Sequence, residues 1–300
     1  MGGQVFKETS PIKKERVEPT IDFFKSFLSW VFPEAAKYFY NIETCGSTGK
    51  KAISGDLDLI LDENFIKVLK FDKEEVNMYF EKFKKRARTS TDKMLKKRAI
   101  LTWMVKEINK RCEGVDDYAS DKGTSNGAIF FKYPQCTKDG ATDDWVQIDL
   151  NIGNPDWLRF AYYSAGEEGN VKGLHRTQLL LHMFAHNGMV MSHNYGIKYK
   201  VDNSFVTDNP ERALHILNLN YGLHMTFEDA STYRGIQNHL KTMDEKTRNE
   251  IYDIYLKTLD STRCDIPEDL QTYWWENRRR LGLQGRFIPK TSALYPLVNF

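Results

Sequence analysis

A chain of 300 residues, 41% hydrophobic and 28% charged, can bury one large core or two modest ones, and its composition excludes an extended disordered protein. The net charge of +2 is too small to imply a polyanionic partner by itself, so charge has to be read by position. Four widely separated cysteines with no Cys-x-x-Cys pair argue against a zinc ribbon or a disulfide framework, and with no signal pattern and no membrane-length apolar run the expected setting is cytoplasmic, away from membranes.

In chain order, residues 1–16 are polar and predict a loose arm. Ile21, Phe24, Leu28 and Val31 recur at helical spacing and predict a helix over 17–32. Aromatic and β-branched residues predict a strand over 37–44, small residues a turn over 46–55, and alternating leucines a second strand over 56–61. Two helices are expected over 73–88 and 91–112, a turn over 121–126, and paired strands over 127–133 and 145–150 around a polar loop. Beyond about 172 strand signals fade, and helices are expected over 175–191, 209–221, 226–241, 244–260 and 267–281. Asn154-Pro155 and Gly166–Gly173 interrupt the pattern, so the chain divides into an α/β half, 1–165, and a helical half, 166–300.

The stretch from Cys45 to Leu61 carries the chemistry. Side chains two apart on a strand share a face, so Asp56 and Asp58 point one way while Leu57 and Leu59 enter a core. Carboxylates held side by side repel and lose hydration, and a divalent cation relieves both costs, Mg²⁺ being the expected one. Asp149 repeats the arrangement in Val146-Gln147-Ile148-Asp149-Leu150-Asn151, and it outranks Asp143 and Asp144, which stand in a polar loop. If the two strands are neighbours in one sheet, Asp56, Asp58 and Asp149 supply the three carboxylates that a two-metal phosphoryl-transfer site requires. The small residues Gly46 and Ser47 let main-chain N–H groups approach a triphosphate, and Lys50 and Lys51 add positive charge nearby.

Gly46-Ser47 followed by Asp56-Leu57-Asp58-Leu59, with a later strand carrying Asp149, resembles the nucleotidyltransferases of the DNA polymerase β superfamily over residues 17–165. The spacer is slightly shorter than the family's commonest, and Cys45 is an unusual residue before the glycine. The resemblance implies an α+β fold: a palm-like mixed β-sheet domain followed by a mostly helical domain that closes over it. It implies two Mg²⁺ ions, with Mn²⁺ as a substitute, and transfer of a nucleoside monophosphate from an NTP to an acceptor hydroxyl. Asp56 and Asp58 would bind both metals, Asp149 the one that activates the acceptor, and Gly46 and Ser47 would hold the triphosphate. By similarity to the family's tailing enzymes, the cationic helix entrance with Lys172, His175 and Arg176 would contact the nucleotide.

His182 and His186 have zinc-protease spacing, but Met183-Phe184 replaces the glutamate that hydrolysis needs. Lys82, Lys84, Lys85, Arg86, Arg88, Lys93, Lys96, Lys97 and Arg98 form a basic block that suits the backbone of an RNA or DNA acceptor or, equally, a solvated helix face. Trp274-Trp275 with Arg278-Arg279-Arg280 combines rings and cations suited to single strands, though adjacent residues of a helix cannot share a face and one tryptophan is expected in the core. Given these basic patches, the expected acceptor is a nucleic-acid 3′ end such as RNA or tRNA. A second-messenger synthase or a toxin that modifies tRNA or protein is the alternative within enzymes, and an inactive nucleic-acid-binding protein the alternative outside them.

Overall fold

The computed structural model describes residues 5–87, 90–112, 118–164 and 173–283. Arg88, Lys172 and the expected boundary between 165 and 166 lie outside them. The chain is mixed α+β and forms two compact units, one of Met1–Gly166 with Met191–Ala213, the other of Glu167–Val190 with Leu214–Phe300.

In the first unit a short strand, β1 (Ile12–Lys13), leads into helix α1 (Lys14–Val31), and a short helix α2 (Ala36–Phe39) precedes strand β2 (Glu43–Thr44). The expected strand over 37–44 is therefore mostly helical turn. Tyr38, Phe39 and Ile42 pack apolar surface against the core, which a helical turn does as well as a strand. Next come β3 (Ile53–Ser54), β4 (Leu57–Asp62), helices α3 (Lys73–Lys84) and α4 (Asp92–Arg111), β5 (Ala119–Ser120), β6 (Ala128–Thr137), β7 (Gly140–Gly153) and helix α5 (Pro155–Ala161). The loop expected between 134 and 144 is mostly strand: β6 and β7 pair out to Thr137 opposite Gly140. Ladder hydrogen bonds and the Oγ1 of Thr142 donating to Gln135 O at 2.9 Å hold this polar hairpin without apolar alternation.

Five strands form a mixed sheet in the order β2-β4-β7-β6-β5, with β4 parallel to β7 and the other pairs antiparallel. Alternation sends Leu57, Leu59, Leu61, Ile148, Leu150, Ile152, Ile129 and Phe131 into one core. Helix α1 brings Ile21, Phe24 and Leu28 to it, and α4 brings Leu101, Met104 and Ile108. The Phe24 ring meets the Phe131 ring edge-on at 4.9 Å between centroids. The opposite face carries Asp58, Ile60, Gln147 and Asp149, and a small cluster of Cys45, Ile60 and Leu158 covers part of it with α5.

The arm expected to be loose is fixed from Val5 onward. Ser10 N–H donates to Trp145 O at 2.8 Å, Lys132 Nζ meets Glu8 Oε2 at 2.6 Å, and Phe6 is buried. Beyond α6 (Gly173–His186), where helices alone are expected, strands β8 (Met189–Ser192), β9 (Gly196–Tyr199) and β10 (Phe205–Thr207) form a three-stranded sheet. The helix expected over 175–191 ends at His186, and Gly188 two residues on adopts φ +70°, a conformation open to glycine. Helices α7 (Pro210–Tyr221), α8 (Phe227–Ser231), α9 (Tyr233–Thr242), α10 (Glu245–Thr262) and α11 (Gln271–Leu281) follow. Among the described residues no helix is long and apolar enough to cross a membrane.

Candidate active site

Asp58 and Asp149 stand directly opposite one another, as register partners of the parallel pair β4 and β7. The intervening residues bring back a strand far away in sequence, and the shared alternation of leucine and isoleucine puts both carboxylates on the face away from the core. Asp56 immediately precedes β4 and is close enough to act electrostatically on both. Burial first, then the negative charges of Asp56 and Asp149, push the Asp58 carboxyl up to about 8. Asp149 is pushed up to about 6, again chiefly by burial; Gln147 Nε2 donates to its Oδ1 at 2.7 Å and opposes the shift, while Asp56 adds to it.

The turn before β4 is fastened to Asp58 itself. Cys45 N–H donates to Asp58 O at 2.9 Å, and Asp58 N–H donates to Thr48 Oγ1 at 2.8 Å. Both backbone groups of the aspartate are therefore bonded to the turn. Gly46 has φ +60°, and a Cβ built on it would lie 2.9 Å from Asp58 Oδ2, so only glycine leaves room for the carboxylate. Ser47 is exposed at the crest. Gly49, at φ +69°, donates its N–H to Ser54 Oγ at 3.2 Å and closes the turn. Lys50 and Lys51 are exposed; Lys50 Nζ donates to Ser164 O and lies 5.5 Å from the centre of the Tyr163 ring.

His175 and Arg176 belong to the second unit. Both are buried within it, where His175 Nδ1 lies 2.6 Å from the Tyr255 hydroxyl and Arg176 Nε donates to Ala230 O at 2.7 Å. The charge pattern of that helix entrance reads as solvent-facing, but folding uses the side chains as internal ties. His186 Nε2 meets Glu250 Oε2 at 2.9 Å, and Trp274 is fully buried while Arg278 lies 3.3 Å over the Trp275 ring. Two contributors escaped notice in the sequence. Thr48 reads as one more polar turn residue, and Gln147, although on the face of Asp149, carries no charge to mark it. Period-2 alternation back from Asp149 is the signal that identifies Gln147.

The donor set suits a hard cation in charge and chemistry. Neither Asp58 nor Asp149 has an ion-pair partner among the described residues, each resists ionising where it sits, and oxygen ligands are what Mg²⁺ takes. Geometry is less complete: among the described residues no three His, Cys, Asp or Glu side chains already converge as a metal-holding group. Compared with known proteins, the chain matches no family model and no curated sequence.

Proposed function

We propose that the chain is a metal-dependent nucleotidyltransferase with a palm-like first unit, moving a nucleoside monophosphate from an NTP to an acceptor hydroxyl, most readily a nucleic-acid 3′ end. The observation that carries this reading is the register pairing of Asp58 with Asp149 beside a glycine turn bonded to the backbone of Asp58. Asp56, Asp58 and Asp149 would hold two Mg²⁺ ions, or Mn²⁺. When bound, these supply charge neutralisation at the triphosphate and activation of the acceptor oxygen.

The rest is positioning by the protein. The crest at half-buried Gly46 and exposed Ser47 offers N–H groups and a hydroxyl to phosphate oxygens, and Thr48 fixes that crest relative to Asp58. Gln147 orients Asp149, the carboxylate on the acceptor side, by one amide hydrogen bond at 2.7 Å. An inactive nucleic-acid-binding protein is the second reading, favoured by the absence of a converged donor set among the described residues.

The test is a screen of purified protein with each labelled NTP, Mg²⁺ or Mn²⁺, and acceptors including tRNA, single-stranded DNA, protein and a second nucleotide. Transfer by wild type and its loss in Asp56→Ala is the expected result. Identical behaviour of the two proteins across the panel sinks the proposal.

A further inference from the structure

The corner between α3 and α4 is a concentrated cationic surface. Lys82, Lys84, Lys85, Arg86, Lys93 and Lys96 are exposed there, against Glu81 and Asp92. Lys84 meets Asp92 at 3.5 Å and Lys93 meets Glu63 at 3.4 Å, while Lys82, Lys85, Arg86 and Lys96 form no ion pair among the described residues. Helix stability does not account for this placement. Cations suit the C-terminal turn of α3, but Lys93, Lys96 and Lys97 crowd the first turns of α4, where the helix dipole favours acids. Beneath the surface the Arg98 guanidinium lies 4.0 Å from the Phe83 ring centre, and its buried Nε has no hydrogen-bond partner.

The corner is also tied to the candidate site. Lys97 Nζ donates to Ile152 O at 2.5 Å and to Glu63 Oε2 at 2.9 Å, which pins the start of α4 to the C-terminal ends of β4 and β7. From Asp58 to the end of β4 is about 13 Å at about 3.3 Å per residue, the reach of a few nucleotides.

We infer that the α3–α4 corner binds the phosphodiester backbone of single-stranded nucleic acid, holding an acceptor whose 3′ end lies at the acids. The acceptor role rests on the nucleotidyltransferase reading; the binding itself does not. Charge complementarity selects a polyanion, and between Lys82 and Lys96 no described residue is an exposed large apolar side chain of the kind a membrane surface would take up.

The test is fluorescence anisotropy with an end-labelled single-stranded RNA of about 20 nucleotides, in EDTA without NTP, from about 50 to about 200 mM KCl. For four phosphates contacted, the slope of log affinity against log salt is expected to be about −3. The variant carrying Lys82→Gln, Lys85→Gln, Arg86→Gln and Lys96→Gln is expected to lose most of that slope and at least about tenfold in affinity at low salt. Its melting temperature should not fall, since the changes relieve repulsion. Should the fourfold variant fail to fold, Lys85→Gln and Lys96→Gln singly should each reduce the slope by about 0.7. Binding in EDTA without NTP needs no transfer, so a failed transfer screen and a failed binding surface remain distinguishable. Unchanged affinity and slope in the variants, no binding of RNA by wild type, or binding of phosphatidylserine vesicles in place of RNA overturns the inference.

Discussion

Asp58 concentrates the conflict between stability and chemistry. Its carboxyl is raised from 3.8 to about 8 by burial and by its acidic neighbours, so the folded state takes up a proton that the unfolded chain releases. The sign follows: its contribution to stability is fully present below about pH 4 and is lost as pH rises through about 8. Asp58→Asn keeps the shape and removes the charge. The variant should melt higher than wild type, with a clearly larger gain at about pH 8 than at about pH 5, at about 2–4 °C for each kcal/mol recovered. Calorimetry at the two pH values checks this, and an equal gain at both would mean that Asp58 is not the group responsible. The same substitution should abolish transfer, as expected where strain is retained for function.

At the scale of elements, Lys97 joins α4 to the sheet. Burial lowers the pKa of its ammonium while Glu63 opposes the shift, and the Glu63 carboxyl, raised by burial, is held below its usual range by Lys97 and Lys93. Removing the lysine leaves Glu63 to Lys93 and takes the ammonium donor from Ile152 O. Lys97→Met should therefore cost about 3 kcal/mol in urea unfolding, and adding Glu63→Gln should restore part of it. A cost within about 0.5 kcal/mol would show that the pair contributes nothing net. The pair was not legible in the sequence, where Lys97 is one of nine basic residues between Lys82 and Arg98. Its burial sets it apart from the solvated face expected of that block, its partner Glu63 follows β4, and no local pattern connects the two.

At the scale of the whole molecule, a cation that binds only the folded state must raise the melting temperature. At about one hundred times its dissociation constant, Mg²⁺ should stabilise wild type by about 2.7 kcal/mol, with no gain in Asp58→Asn combined with Asp149→Asn. Equal gains in both proteins would place the ion elsewhere. The sequence by itself determined what repeats locally: the inward leucines of β4 and β7, the outward Asp58 and Asp149, the helices α1 and α4, and the basic corner. These follow from periods of two and of about 3.6 residues, which a chain expresses before it has any distant neighbour. Only the tertiary structure decided that β4 lies parallel to β7 so that Asp58 faces Asp149, that the amino-terminal arm is held along β7, that His175 and Arg176 are buried, and that Met191–Ala213 joins the first unit. Each depends on which distant surface is available to exclude water from an apolar face or to accept a donor. That is a property of the assembled chain, not of any segment read alone.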